Sequence, residues 1–412
     1  MKLSEIDKKL AAKLWHVSGP ASMGGDPEFF IADKKGKVVN ADAYLPSKEN
    51  PILVKSRSEY KSRLFFDGIQ AEMAVAFSSC REYFADNIRL CWRETMERIS
   101  GGHQIVLKPS AKIQRAIIEA ADPEARRFGC APDFNAYTRS TNTPEMDASR
   151  HPFRYAGGHI HIGLSENKYR EPNDAYLKVC QTEEGHLRVV KLFDLLVTIP
   201  TLLLDNSPGA IRRRAKYGKA GCFRPTTYGI EYRTPSCWWL RSPMTVSIVY
   251  GLARLAWTIA ALGYDGDFFK AVKTDEQTVS GCINESDTKT VKEIWENIRP
   301  YIAVIGYPST NPLNIGSIRS DNYDSYLPDA YKGFNGPPTK KLRGRLVYAL
   351  AAYEYMLKHG LSAVIPHNID HEWGLSNSDT WRNGFMGGSF AKLLNNKDFA
   401  KFQESFLTNF FK

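Results

Sequence analysis

The segment "GGHIHIG" at residues 157 to 163 limits the fold more than any other stretch of the chain. Side chains of a strand alternate between faces, so His159 and His161 stand on one side and Ile160 and Ile162 on the other. Three further strand-like segments carry a similar anomaly. Asp26 and Glu28 share a face in "GDPEFF", Glu72 stands among apolar and small residues in "DGIQAEMAVAF" (67 to 77), and Glu231 and Arg233 share a face in "GIEYR". A half-buried strand is ordinarily apolar inside and plainly polar outside. If the four strands lie in one sheet, their ionisable faces converge into a basin lined with carboxylates and imidazoles.

The intervening segments predict helices that would flank such a sheet. Residues 82–99 carry Phe84, Ile88, Cys91, Thr95 and Ile99 in step, with Gly101 and Gly102 to end the turn. The apolar stretch from Leu187 contains Lys191, Asp194 and Pro200, which are costly in a bilayer, so it reads as a buried helix. Ser242 and Pro243 form a good N-cap and first-turn pair for "MTVSIVYGLARLAWTIAAL". Ser4, Ile6, Leu10 and Leu14 predict a short N-terminal helix. Beyond residue 264 the character changes to helices joined by turn-rich segments, one helix marked by Val291, Ile294, Trp295 and Ile298, another by Leu342, Leu346, Leu350, Tyr353 and Leu357 and ended by Gly360. The Pro, Gly, Ser and Asn content of residues 307–341 predicts a loop. With 412 residues, two units are expected, 1–263 and 264–412, the second an accessory region.

Bulk properties narrow the setting. Hydrophobic residues at 43% and charged residues at 24% suit a globular protein rather than a disordered one. The seven cysteines are scattered and never form a CxxC pair, which argues against a disulfide framework or a thiolate zinc site and for a reducing cytoplasm. A net charge of +10 suits an anionic partner, whether nucleotide, nucleic acid or acidic small molecule. Neither a signal peptide nor a membrane span is expected, and the oligomeric state is left open.

Carboxylates with an added imidazole favour hard cations such as Mg2+ or Mn2+. A divalent ion beside many arginines is the arrangement that neutralises phosphate oxygens in phosphoryl transfer. The arginines come from "IRRRAKYGKAGCFRPTTYGIEYR", which carries Arg212, Arg213, Arg214, Lys216, Lys219, Arg224 and Arg233 against the single acid Glu231. Each signal also has a plainer reading: a lone acid on a strand marks a solvated face, an Arg run marks a helix end, and a His-x-His pair would serve a zinc hydrolase as well. Their agreement on one chemistry outweighs these readings. His367, His371 and Glu372 in "HNIDHEW" lack the His-Glu-x-x-His order, and Trp238 and Trp239 read as core.

In order along the chain, "GGDPEFF", "DGIQAEM", "GCAPDFNAY", "GGHIHIG" and "RRRAKYGKAGCFRPTTYGIEYRTPS" resemble the phage-type carboxylate-amine ligases, a branch of the glutamine synthetase and glutamate-cysteine ligase superfamily. The resemblance spans about residues 20–260. It implies an α+β fold with a twisted antiparallel sheet, glutamine-synthetase-like, whose concave face binds ATP and divalent ions and is flanked by helices. It also implies an amide bond formed through an acyl phosphate, from a small-molecule or peptide carboxylate and an amine. Under it Asp26, Glu28, Glu72, His159 and Glu231 are the metal ligands. His161, Arg212, Arg213, Arg214, Lys219 and Arg224 fall on the nucleotide side, and Asp26, Glu231 and Arg233 act in catalysis. Glu72 has no second Glu eight residues away, so Asp67 or Gln70, directly or through water, is expected to fill that place. The competing readings are a catalytically inactive ligase fold that binds nucleic acid or a virion component, and the zinc hydrolase.

Overall fold

The structure is a computed structural model that describes residues 21–79, 81–99, 101–123, 126, 133–142, 151–164, 174–305, 345–366, 368–375, 389, 393 and 396–410. The expected N-terminal helix, the loop at 307–341 and His367 lie outside the described residues. The protein is α+β, built on an eleven-stranded sheet. Its main path runs β3 (Ile52–Val54), β4 (Ser62–Asp67), β5 (Gln70–Ser78), β1 (Ala21–Ala32), β11 (Gly158–Leu164), β13 (Gly229–Tyr232), β12 (Cys222–Pro225), β8 (Asp133–Asn135) and β9 (Ser140–Asn142). Every pairing along it is antiparallel. Strands β2 (Val38–Val39) and β6 (Gln104–Val106) pair with the end of β1, while β7 (Ser110–Lys112) and β10 (Phe153–Tyr155) form a separate ribbon.

Alternation sorts the sheet into two unlike faces. Leu64, Ala71, Met73, Phe29, Ile160, Ile162, Ile230 and Tyr232 are buried on one of them. Helices α1 (Arg81–Arg98), α2 (Glu183–Phe193) and α3 (Pro243–Ala261) cover that face. Trp92 of α1 meets Phe29 edge-on at 4.7 Å, and Phe193 of α2 meets Tyr232 at 5.1 Å. Aromatic pairs in this geometry add roughly 0.5–1.5 kcal/mol each beyond area burial. The other face carries the ionisable residues.

Helix α3 starts where Ser242 and Pro243 predict it. Ser242 Oγ accepts from the Thr245 N–H at 3.3 Å, and Thr245 Oγ1 accepts from the Ser242 N–H at 3.1 Å, a reciprocal cap. Among the described residues α3 alone is long and apolar enough to cross a membrane, and 89% of that stretch is buried inside the protein. Helix α2 runs into a π-helical turn at Asp194–Thr198 and a short helix at Ile199–Leu202, all buried, in line with the buried helix expected there.

One segment departs from its sequence reading. Asp67 does not open the strand of Glu72; it closes β4, Gly68 turns the chain at φ 64°, and β5 begins at Gln70. A left-handed residue is what a tight hairpin needs, and Gly supplies it without a Cβ clash. The line expected near residue 263 is crossed by several bonds. Trp373 Nε1 donates to the Leu240 carbonyl at 2.9 Å, Arg89 donates to the carbonyls of Trp373 and Gly374 at 3.0 and 2.9 Å, and Tyr353 Oη donates to the Pro200 carbonyl at 2.6 Å. Tyr353 belongs to helix α4 (Arg345–His359), which covers the predicted helix from Leu346 to Leu357, while Leu342 lies outside the described residues.

Candidate active site

Register brings the four anomalous strands together. Gly24, His161, Glu231 and Arg224 form one cross-strand row over β1, β11, β13 and β12. Asp26 stands opposite His159, and Glu28 opposite Glu72. Residues directly opposite in an antiparallel ladder share a face, so all of these lie on the face away from the helices.

Three clusters divide that face. In the first, ligand oxygens of Glu28, Asp67 and Glu72 lie within 4.8 Å of one another, and none of the three makes an ion pair among the described residues. Burial, then the Asp67 charge, pushes the Glu28 carboxyl up to about 7, against the Gly157 N–H that it accepts at 2.5 Å. Burial and the neighbouring charges of Asp67, Asp26 and Glu28 hold Glu72 well above the usual carboxylate range. Three carboxyl groups gathered at one point, two of them buried, fit a hard cation with oxygen ligands. Of the two candidates for the place beside Glu72, Asp67 joins the cluster, whereas Gln70 Nε2 donates to the Tyr155 carbonyl at 3.0 Å.

The second cluster is built on Arg233, which ion-pairs with Glu231 and reaches Asp133 Oδ1 at 2.6 Å through Nε. Arg224 lies 3.5 Å from Glu231 and 3.8 Å from Asp133. His159 Nδ1 is 3.5 Å from Glu231 Oε1. Burial, then the charge of Arg233, drives the His159 pKa well below its ordinary value, so the ring is neutral and keeps a lone pair for a ligand role. The third cluster joins His161 Nε2 to Asp26 Oδ2 at 3.0 Å and His161 Nδ1 to the Tyr228 hydroxyl. Burial works against a charged His161, but the Asp26 carboxylate outweighs it and raises the imidazole pKa. Burial likewise opposes the Asp26 charge, and His161 outweighs it to hold that carboxyl low.

Gly157 shows why the motif begins with glycine. A Cβ there would come within 2.2 Å of His159 Nε2, while the Gly157 backbone both donates to Glu28 and accepts from the Glu28 N–H at 2.8 Å. The imidazole therefore packs directly over the peptide that holds the carboxylate.

The arginine run divides in an unexpected way. Arg213 is 2% exposed and donates from both terminal nitrogens to the Thr234 and Arg233 carbonyls, at 2.8 and 3.0 Å. Arg214 donates to the Asp205 carbonyl at 3.0 Å and to Ser286 Oγ at 3.1 Å. Arg212 stacks over the Phe153 ring at 4.2 Å and donates to Ser110 Oγ at 3.2 Å. The structure thus gives the three arginines backbone and packing partners, whereas Arg224 stands on the site face. Lys219 takes part through its backbone carbonyl, which accepts from Thr234 Oγ1 at 2.9 Å. Sequence reasoning assigned no role to Asp133 or Tyr228. Asp133 lies inside the quoted "GCAPDFNAY", and Tyr228 ends the turn before "GIEYR".

An open sheet face that sets buried carboxylates beside imidazole and guanidinium groups defines a candidate cation and oxyanion site on an antiparallel α+β frame. Residues 145–303 match the family described as Phage phiEco32-like COOH.NH2 ligase-type 2, which bears out the resemblance read from the motifs over that stretch. No curated protein matches the chain. Among solved structures, a bifunctional glutathione synthetase from Pasteurella multocida is similar at 11% identity and a TM-score of 0.38, over 89% of this chain. The chain spans 56% of that protein's length.

Proposed function

We propose that the protein is an ATP-dependent carboxylate-amine ligase that forms an amide bond through an acyl phosphate. The observation that carries this reading is the single sheet face on which Glu28, Asp67 and Glu72 adjoin the cluster of His159, Glu231, Arg233 and Arg224. The family match over residues 145–303 supports it. Bringing a substrate carboxylate against a triphosphate sets anion against anion, and the repulsion must be cancelled in a site partly shielded from water.

Glu28, Asp67 and Glu72, with His159, Glu231 and Asp26 around them, would hold Mg2+ or Mn2+. When bound, a divalent ion neutralises phosphate oxygens. Arg224 and Arg233 bind and orient the anionic groups, Arg233 kept in line by Glu231 and Asp133 on either side. An ammonium ion cannot attack an acyl group, so a carboxylate must take its proton. Asp26 is the more accessible of the two proposed, its side chain 29% exposed against 9% for Glu231, which is already engaged by two guanidinium groups, and it takes the proton in this reading. His161 orients Asp26 and is itself held by Tyr228.

Thermal unfolding with and without Mg-ATP tests the reading, followed by ADP release with pairs of carboxylates and amines. A metal-dependent rise in Tm is expected, lost in Glu231→Gln and His159→Ala while both variants stay folded by circular dichroism. Absence of any nucleotide response in the wild type, or full ADP release by either variant, rejects the reading.

A further inference from the structure

At the β4 edge of the site face stand two cations that the proposed chemistry does not use. Arg63 lies opposite Ala74 in the β4–β5 ladder, hence on the face of Glu72 and Gln70. Lys48 holds its ammonium 5.4 Å from the centre of the Phe65 ring, and Phe65 is the ladder partner of Glu72. Both side chains are exposed, and neither makes a hydrogen bond or ion pair among the described residues. Their charges are felt inside the site: both lower the Asp26 carboxyl, and Lys48 works against the upward shift of Glu72.

The remaining site cations are differently disposed. Arg233 is bound between Glu231 and Asp133, and Arg224 approaches the same two carboxylates. From β4 to β12 the sheet path takes five strand steps, which at about 4.8 Å each separates the two cationic ends by about 24 Å. One carboxylate or phosphate group cannot touch both. Once a divalent ion occupies the acids of the central cluster, the negative field beside Lys48 and Arg63 weakens and the edge is left attractive to an anion. We propose that Lys48 and Arg63 form a second oxyanion-binding edge, which takes a carboxylate or phosphate group of a ligand that also meets the acid cluster. This rests on the ligase reading only for which anion fills it.

Calorimetric titration of the full chain with Mg-ATP, with inorganic phosphate and with glutarate, each with Mg2+ present, tests the proposal. The Lys48→Gln, Arg63→Gln double variant keeps polar side chains at the edge and removes both charges. It should weaken at least one of these ligands by about tenfold, with Arg63→Lys restoring part of the affinity and Tm in buffer unchanged. A loss confined to Mg-ATP and phosphate assigns the edge to the nucleotide, and a loss confined to glutarate assigns it to a substrate carboxylate. Equal affinities for wild type and double variant, or no binding of any of the three ligands by the wild type, overturns it. Glutarate or phosphate binding that depends on Lys48 and Arg63, with no ADP formed from ATP, would leave the edge standing and remove the ligase reading instead.

Discussion

At the scale of single residues, the carboxyls of Glu28 and Glu72 are driven toward the protonated form by burial and by each other's neighbourhood. A carboxyl whose pKa is raised on folding keeps its proton where the unfolded chain has lost it. The folded state then binds more protons, and stability falls as pH rises through that window. For Glu28 the window runs from 4.5 to about 7. Its cost is on the order of 3 kcal/mol above the window. Metal-free protein is therefore expected to lose Tm between about pH 5 and pH 8, whereas Mg2+ or Mn2+ should restore it most at the alkaline end, since metal competes with protons for the same oxygens. Glu72→Gln should flatten the fall and abolish the metal effect. A metal-free Tm that rises over that range contradicts the argument. These two acids are legible in the sequence because each sits on a strand whose alternation exposes it, whatever its neighbours. Asp133 is not, since its meeting with Arg233 depends on the β12–β8 register, and Arg213 and Arg214 advertise charge without revealing that backbone carbonyls receive it.

Among elements, the π-helical turn after α2 governs how β13 is set. Asp194 at its start is fully buried, accepts from the Gly221 N–H at 2.6 Å and binds the Tyr232 hydroxyl. Tyr232 lies between Glu231 and Arg233, and Gly221 precedes β12 with Arg224, so one carboxylate braces the strands behind the site. Asp194→Ala removes the acceptor of the buried Gly221 N–H and leaves the Tyr232 hydroxyl only Thr198 Oγ1, and is expected to lower the unfolding free energy by roughly 1–3 kcal/mol in urea melts. Asp194→Asn keeps an acceptor and should cost less. Burial has raised the Asp194 carboxyl from 3.8 to about 7 despite its hydrogen bonds. The wild type therefore loses stability as pH rises through that range, and the Asn variant should gain on it. An Asn variant that falls further behind at alkaline pH would count against this account. The strands and α3 are legible from alternation and from the Ser242 cap. The π turn is not, because residues 194–198 are buried on every side and their pattern carries no period.

For the whole molecule, the decisive question is whether residues 1–263 can stand without residues 264–412. The charge face needs only the first part of the chain, but the core behind it does not end there. Trp239, Leu240 and Trp257 belong to one buried apolar cluster with Trp295, Tyr353, Met356 and Trp373. Removing the second group uncovers one face of α3, an apolar area that would draw chains together. It also leaves the Leu240 and Pro200 carbonyls without the donors Trp373 and Tyr353. A change of composition near residue 264 is visible in the sequence, yet apolar residues on both sides of it do not say whether they meet. That depends on tertiary packing across more than 100 positions, as in the bond from Tyr353 to Pro200. The full chain is expected to melt in one cooperative transition, with fragment 1–263 associating or losing its near-ultraviolet circular dichroism. Two separate transitions in the full chain, or a monomeric fragment with native spectra, would mean that the contacts across residue 263 contribute little and that the eleven-stranded sheet is stabilised by α1, α2 and α3 alone.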